Sequence, residues 1–413
     1  MRLNAARYAV LLRKVSAAVP GDDEIMKAVK KKWSVECGKI RILFAVFTAL
    51  LIVLLWGRTA CAQEENEIWE RLQGQLDALE LGRAEELYMQ YGNAGFCDTV
   101  KAIFEGKYEA GGTTRALLGL ILPEVSSAIG IFTLLYLLAA GIGAVEKAAR
   151  TERFSGITGS IASGVFALIF FGGFLSLCKR AGQAAASLNE VTDAVFPALT
   201  ALLTAAGGKS TAAVLNTECL AVSQSVNNAV NTVIVPVILL LCVILLLDCT
   251  VSENRFDRAL AFGKSTAGWC VGMMYTFYGA VVGIRGLSAA SYDGVALRAF
   301  RYTLGSSVPL AGSLLGDGVN LALAGCAAVK NAFGTASLLL TVFTVLAPFS
   351  AVVMNMLALR AFTAFCGAFA PSGIIRMAAG AADLLKLLAA VMLGAGLLTL
   401  SMLGIAIFAA GGI

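Results

Sequence analysis

Histidine is absent from this 413-residue sequence, and charged residues make up only 14% of it. Without histidine the chain cannot build a histidine-dependent nucleophile or a mixed cysteine–histidine zinc site. The ten cysteines include no C-x-x-C pair, so the usual spacing of a cysteine-only zinc site is missing too. Gly207-Gly208-Lys209-Ser210 ends like a phosphate-binding loop but lacks its first glycine. We therefore expect no enzyme active site, no metal and no other cofactor.

Apolar residues make up 58% of the chain, and the mean hydropathy is +0.79. A soluble domain carries about 25% charged residues, so water is not the main solvent of this chain. Its apolar runs have the length of about 20 residues that a helix needs to cross a bilayer core. The sequence predicts an all-α, polytopic membrane protein in contact with the lipid bilayer, with six spanning helices. We place them at 126–145, 156–177, 229–248, 267–284, 335–356 and 384–408.

The net charge of +5 comes from the beginning of the chain. Residues 1–62 hold 11 basic and 4 acidic residues, which leaves the remainder slightly acidic. No nucleic-acid partner is therefore indicated. A basic stretch, an apolar run over 42–56 and the A-x-A site Ala60-Cys61-Ala62 are typical of a cleavable signal peptide after an N-terminal extension. An uncleaved signal-anchor helix is the alternative.

The stretch 63–112 holds 11 acidic and 4 basic residues, with apolar positions spaced as on one face of a helix. Behind a signal peptide it becomes a short acidic, exported helical segment; a solvated spacer is the alternative. Residues 113–154 then form the first span and a cytoplasmic loop. The loops 147–154, 249–264 and 357–382 carry Lys and Arg and fall in the cytoplasm, as the positive-inside rule requires. Residues 357–413 form a cytoplasmic-side helix and the last span.

Two stretches, 155–250 and 251–356, resemble each other and predict an internal duplication. An arginine follows a span in each, a proline is followed at +5 and +6 by two leucines, and an asparagine precedes a threonine by four residues. The first set is Arg180, Pro197, Leu202, Leu203, Asn228 and Thr232, and the second is Arg285, Pro309, Leu314, Leu315, Asn331 and Thr335. Shared membrane composition is the alternative. We expect the two copies to pack together, with the Asn-Thr pairs at helix starts, where free N–H groups need polar partners.

Within each copy a stretch rich in small residues, 188–225 and 292–328, is too apolar for a loop and too interrupted for a span. We expect re-entrant or interfacial helices there, covered by protein or lining a cavity. Asp317 lies in the second stretch and is a candidate for a pathway or a buried pair. Lys330 and Arg285 flank spans, where snorkelling is expected. Asp383 and Lys386, three residues apart, are expected to pair.

Small residues at every fourth position mark two candidate helix-packing faces. One consists of Gly156, Ser160 and Gly164, and the other of Gly268, Gly272, Thr276 and Ala280. They pack either within the chain or against partner subunits.

Several motifs resemble the stage III sporulation protein AE family. They are F-P-A-L-T-A-L-L-T-A-A-G-G at 196–208, V-N-N-A-V-N-T at 226–232, K-S-T-A-G-W at 264–269, G-S-S-V-P-L-A-G-S-L-L-G-D at 305–317 and A-V-K-N-A-F-G-T at 328–335. The resemblance extends over roughly residues 40–413.

The resemblance implies a multi-pass protein of the mother-cell membrane around the forespore of an endospore-forming bacterium. It implies partners among the other stage III sporulation A proteins, including a cytoplasmic ATPase and a ring-forming subunit, and a channel protein from the forespore. The implied function is a non-enzymatic subunit of a secretion-like transenvelope channel, or feeding tube. The alternative, from the duplicated halves and Asp317, is a self-sufficient secondary transporter.

Overall fold

The computed structural model describes residues 82–91, 95–108, 110–148, 152–250, 256–307, 312–366 and 372–409. All of them belong to one compact unit, Ala60–Ile413. The expected signal peptide lies outside the described residues, as do positions 63–81 of the exported segment.

The described residues form helices throughout, with no strand among them. Two short helices, α1 (Gly82–Tyr91) and α2 (Phe96–Phe104), precede the long helices α3 (Ala110–Ala148) and α4 (Glu152–Ala205). A segmented helix follows, in which π-helical turns at Leu215–Cys219 and Val230–Ile234 separate α5 (Lys209–Val214), α6 (Leu220–Ala229) and α7 (Val235–Thr250). The last three helices are α8 (Asp257–Ser307), α9 (Gly312–Cys366) and α10 (Ser372–Phe408).

Within the described residues, six helical stretches are long and apolar enough to cross a membrane, which confirms the predicted fold class and number of spans. They are Gly112–Gly141, Gly164–Ala205, Lys209–Cys249, Asp257–Ala299, Leu323–Cys366 and Gly373–Phe408. Each predicted span falls inside one helix or segmented helix, but the helices are much longer than the predicted spans.

The stretches 188–225 and 292–328, predicted to form re-entrant or interfacial helices, are mainly helical where they are described, and their place in the membrane stays a prediction. Residues 188–205 continue α4, and 292–307 continue α8. After Gly207 the chain turns, and residues 209–225 run back as α5, the first π-helical turn and part of α6. Helix α4 has 54 residues and α9 has 55. At 1.5 Å per residue each measures about 80 Å, more than twice the bilayer core of ~30 Å.

Helices α9 and α10 are the most buried of the six and pack antiparallel at the centre. Gly396 of α10 faces Val345 of α9, where an added Cβ would come within 3.2 Å of a valine methyl. The buried hydroxyls of α9 donate to carbonyls one turn back, as in Thr341 to Ser337 (2.9 Å) and Thr344 to Leu340 (2.9 Å). Polar atoms are thus satisfied inside the helix, and the core needs no water there.

The short helices α1 and α2 are the described part of the predicted exported segment. They pack on α9 through an aromatic cluster in which Phe96 lies 5.3 Å from Phe333 and Tyr88 lies 6.0 Å from Phe343, ring centroid to ring centroid. Phe96 is fully buried. Burial raises the pKa of the Tyr88 phenol, which also hydrogen-bonds Thr99. This part of the segment is a docked helical pair rather than a solvated spacer.

Candidate functional site

In the described part of the chain, ion pairs join different candidate spans in three places. The first joins α3 to α4, where the Arg180 guanidinium donates to the Glu124 carboxylate at 2.8 Å. The sequence singled out Arg180 but not its partner, because Glu124 lies 56 residues earlier. Ionisable groups inside membrane helices are rare unless they pair or serve a function, so this ion pair marks the α3–α4 boundary as a candidate site.

The second charged cluster ties three helices together. Asp383 of α10 accepts from Lys264 of α8 at 3.4 Å and from Arg360 of α9 at 3.4 Å. The predicted partner of Asp383 was Lys386, one turn along the same helix. The structure gives Asp383 two partners on other helices because α8 and α9 bring their cations to its level. A carboxylate between two cations fixes the mutual register of the helices, and nothing here resembles catalytic acid–base machinery.

A polar seam runs between α4 and α6. Asn189 donates to Asn228 at 3.1 Å and accepts from Asn227 at 2.9 Å, and Gln224 donates to Asp193 at 2.6 Å. The prediction that Asn228 and Thr232 begin a helix is wrong. Asn228 lies near the end of α6 and Thr232 lies in the second π-helical turn. Because the helix continues through them, no free N–H groups need capping, and Asn228 bonds across to α4 instead.

The second Asn-Thr pair is also inside a helix. Asn331 and Thr335 lie well within α9, and the Thr335 hydroxyl donates to the Asn331 carbonyl at 2.7 Å. They are therefore not a helix start either. Leu314, Leu315 and Asp317 belong to the first turns of α9, and their side chains lie outside what the structure describes.

Only one proline of the predicted duplication lies among the described residues. Pro197 lies inside α4, and Leu202 and Leu203 after it are buried. Pro309 lies outside the described residues, between the end of α8 and the start of α9. Arg180 precedes the α4–α5 connection by about as many residues as Arg285 precedes the α8–α9 connection. The duplication stays a prediction.

The connection between α4 and α5 contains a capping contact that the sequence analysis missed. Gly207 adopts φ +94°, which a side chain would strain, and lets the chain turn back. The N–H groups of Ser210 and Thr211 then donate to the two carboxylate oxygens of Asp293, at 2.9 and 2.8 Å. Asp293 is buried on α8. The segment that resembled a phosphate loop is thus a helix N-terminus whose anion comes from the protein itself. Sequence spacing carries no signal for this pair, because 83 residues separate Ser210 from Asp293.

The two cations expected to snorkel behave differently. Arg285 pairs with Glu218 of the first π-helical turn at 3.4 Å, and its side chain is 63% exposed. Lys330 is fully buried and donates to the carbonyls of Ile407, at 2.7 Å, and Ala409. Snorkelling is wrong for Lys330, because the last carbonyls of α10 have no intrahelical donors and the ammonium supplies them.

The described members of the two small-residue faces make little contact with the rest of the described chain. A Cβ added at Gly164 or Gly272 would meet no atom within 4 Å, and one at Gly268 would only touch Leu387 at 3.9 Å. The Thr276 side chain is exposed on the same face as Gly272. The surroundings of Gly156 and Ser160 lie outside the described set. The described parts of these faces, at Gly164 and at Gly268, Gly272 and Thr276, are open to lipid or to another chain.

Among the described residues, no group of three or more Cys, Asp or Glu residues could hold a metal ion. The charged and polar groups pair with one another across helices. These pairs lie at the boundaries between helices and orient the helices relative to one another. Six apolar helices joined by such contacts define a polytopic helical membrane protein.

Comparison with known proteins gives the family. The family model "Stage III sporulation protein AE" matches residues 96–411, so the chain belongs to the stage III sporulation protein AE family. The curated stage III sporulation protein AE of Bacillus subtilis (strain 168) is 21% identical over 223 residues, which cover 53% of this chain and 56% of that protein. The matched stretch thus spans about half the length of that relative. No solved structure matches this chain.

Proposed function

We propose that this chain is a non-enzymatic integral membrane subunit of a secretion-like transenvelope channel between mother cell and forespore, located in the mother-cell membrane around the forespore. Membership of the stage III sporulation protein AE family is the observation that carries the proposal. Its partners are other stage III sporulation A proteins, among them a cytoplasmic ATPase and a ring-forming subunit, and a forespore channel protein. The energy for transport comes from the ATPase.

The surface of the helices supports a role as one subunit among several. Between residues 170 and 232, no large apolar side chain of the described chain is exposed. We call the exposed side chains of this stretch the polar face. Its polar members are Ser176, Lys179, Arg180, Gln183, Glu190, Asp193, Thr204, Lys209, Ser210, Asn216, Thr217, Ser225, Asn228, Asn231 and Thr232.

Helix α8 presents the opposite kind of surface at the same height along the bundle. It exposes Phe277, Ile284, Tyr292 and Val295, each by 66% or more. The heights match because Arg285 contacts Glu218 and Asp293 contacts Ser210.

An isolated chain in a membrane cannot place both surfaces in a suitable environment. If this level lies in the bilayer, the polar face needs water or protein instead of lipid. If it lies outside, the apolar side chains of α8 need a protein partner. Either position requires a water-filled passage or another subunit, as a channel complex provides.

Co-purification tests the proposal. The tagged chain is produced with the ATPase and the ring-forming protein of the same bacterium, solubilised in mild detergent and isolated through the tag. We expect both partners to be retained by the wild-type chain. Asn228→Leu on the polar face should reduce their retention while leaving the amount of membrane-inserted chain unchanged. Val243→Leu on the exposed apolar side of α7 is the matched control and should change neither.

The transporter alternative predicts another result. A purified chain that binds neither partner and moves a small solute into liposomes unaided would overturn the channel-subunit proposal. Retention of the partners together with transport that requires the ATPase would support it.

A further inference from the structure

A groove opens between α3 and α4 beside the Arg180–Glu124 ion pair. It encloses a cavity of about 200 Å³, with α9 and α10 behind it. Its walls are mainly apolar and include Ile131, Leu134, Leu135, Ile169, Phe170 and Phe174. Helix α3 is the least covered of the six membrane helices, which leaves the groove accessible from the side.

The ion pair closes one end of this groove and remains accessible there. The Arg180 side chain is 49% exposed and the Glu124 side chain 18% exposed. Ser127 and Ser176 line the wall next to the pair. A guanidinium carries five N–H donors and a carboxylate about four acceptor positions, so one contact at 2.8 Å does not use up either group.

The dimensions of the groove match one leaflet of a bilayer. Its apolar wall extends along α4 from Arg180 to Ile169 and along α3 from Glu124 to Leu135. Each distance is about three helical turns, or ~16 Å, and half of a bilayer core measures ~15 Å. The walls lie within the predicted spans 126–145 and 156–177, and the ion pair lies just beyond the end of both. A molecule that fills the groove therefore places an apolar tail at membrane depth and a polar head at the interface.

We propose that this groove binds a zwitterionic aminophospholipid of the phosphatidylethanolamine type. The phosphate accepts from Arg180, the ammonium donates to Glu124, and an acyl chain occupies the apolar cavity. Charge complementarity selects this head group, because a zwitterion satisfies both members of the ion pair. An anionic head group such as phosphatidylglycerol engages Arg180 but competes with Glu124 and leaves that carboxylate without its cation. The proposal does not depend on the channel function.

Two neighbouring glycines provide the test of the cavity. Gly173 lines the groove and Gly172 does not, and a Cβ added at either would meet no atom within 4 Å. Gly173→Leu therefore fills the groove without a backbone clash, and Gly172→Leu is the matched control. The full-length chain is placed in nanodiscs of mixed phosphatidylethanolamine, phosphatidylglycerol and phosphatidylcholine, released, and examined by native mass spectrometry. We expect one retained phosphatidylethanolamine for the wild-type chain and Gly172→Leu, and about tenfold less for Gly173→Leu.

Charge variants test the head-group assignment in the same assay. Arg180→Gln should lower retention of every phospholipid, because the phosphate loses a charge-assisted hydrogen bond worth about tenfold in affinity. Glu124→Gln should keep phospholipid retention and lose the preference for phosphatidylethanolamine over phosphatidylglycerol. A wild-type preference for phosphatidylglycerol would overturn the assignment, and equal retention by Gly173→Leu and Gly172→Leu would overturn the site itself.

Discussion

At the scale of single residues, polar side chains in this protein stabilise the ends and boundaries of helices. Lys330 supplies donors to the last carbonyls of α10, and Asp293 supplies acceptors to the first N–H groups of α5. Both side chains are buried. The Lys330 ammonium lies at the C-terminal, negative end of the α10 dipole, and the Asp293 carboxylate lies at the N-terminal, positive end of α5. Lipid cannot satisfy such groups, so the protein supplies partners from distant positions.

Replacing Lys330 by methionine tests the first contact. Methionine has a similar length but no donor, so the carbonyls of Ile407 and Ala409 lose their partner. We expect the free energy of unfolding to fall by about 1–3 kcal/mol, the cost of leaving buried polar groups unpaired. Thermal unfolding in detergent measures it, with exposed Lys209→Met as the control. Equal melting temperatures for the two variants would contradict the assigned role.

Replacing Asp293 by asparagine tests the second contact. The asparagine amide keeps the shape of the aspartate side chain but loses its negative charge. It also loses one of the two acceptor oxygens, of which one accepts from Ser210 and the other from Thr211. We expect the amide protons of these two residues to exchange with deuterium about tenfold faster, which corresponds to about 1.4 kcal/mol. Hydrogen exchange with mass spectrometry measures this. Asp193→Asn, an exposed carboxylate on the same bundle, should leave those two amides unchanged.

At the scale of helices, the elements are much longer than the spans that the sequence suggested. The central helices pack along most of their length, and the two short helices of the exported segment dock on α9. The docking depends on few contacts, mainly the cluster of Tyr88, Phe96, Phe333 and Phe343. This makes the segment separable from the membrane helices in an experiment.

Phe96→Ala should undock α1 and α2 without unfolding the membrane helices. Truncating a buried phenylalanine costs about 3–5 kcal/mol, more than two short helices can recover elsewhere. We expect faster hydrogen exchange over 96–104 and unchanged exchange over α9. Met89→Ala is the matched control, since Met89 is 62% exposed and its truncation should cost less than ~0.5 kcal/mol. Unchanged exchange in Phe96→Ala would show that the aromatic cluster does not hold the segment.

At the scale of the whole molecule, the orientation in the membrane is open to a direct test. The acidic segment 63–112 is predicted outside the cytoplasm, and the basic loop 249–264 inside. A phosphatase that is active only outside the cytoplasm should be active when fused after residue 100 and inactive after residue 253. A cytoplasm-active fluorescent protein should give the reverse. The opposite pattern at both sites would invert the topology.

The sequence by itself determined the class of protein. Low charge and repeated apolar runs specify six membrane helices. Lipid offers no hydrogen-bond partners, and a helix pairs the backbone N–H and C=O groups within the same segment. The motifs at 196–208 and 305–317 indicated the family that the comparison over residues 96–411 then showed. Helicity and hydropathy are local properties, and a sequence states local properties directly.

Only the tertiary structure decided which polar groups meet. The sequence points to Arg180 but not to its partner Glu124, and it predicts snorkelling for Lys330, which instead contacts the end of α10. Asp293 gave no signal at all. These partners lie 56 to 83 residues apart along the chain. These partners meet only when the long helices pack in one register. The buried side chains along the whole interface determine that register together, so no local sequence pattern encodes it.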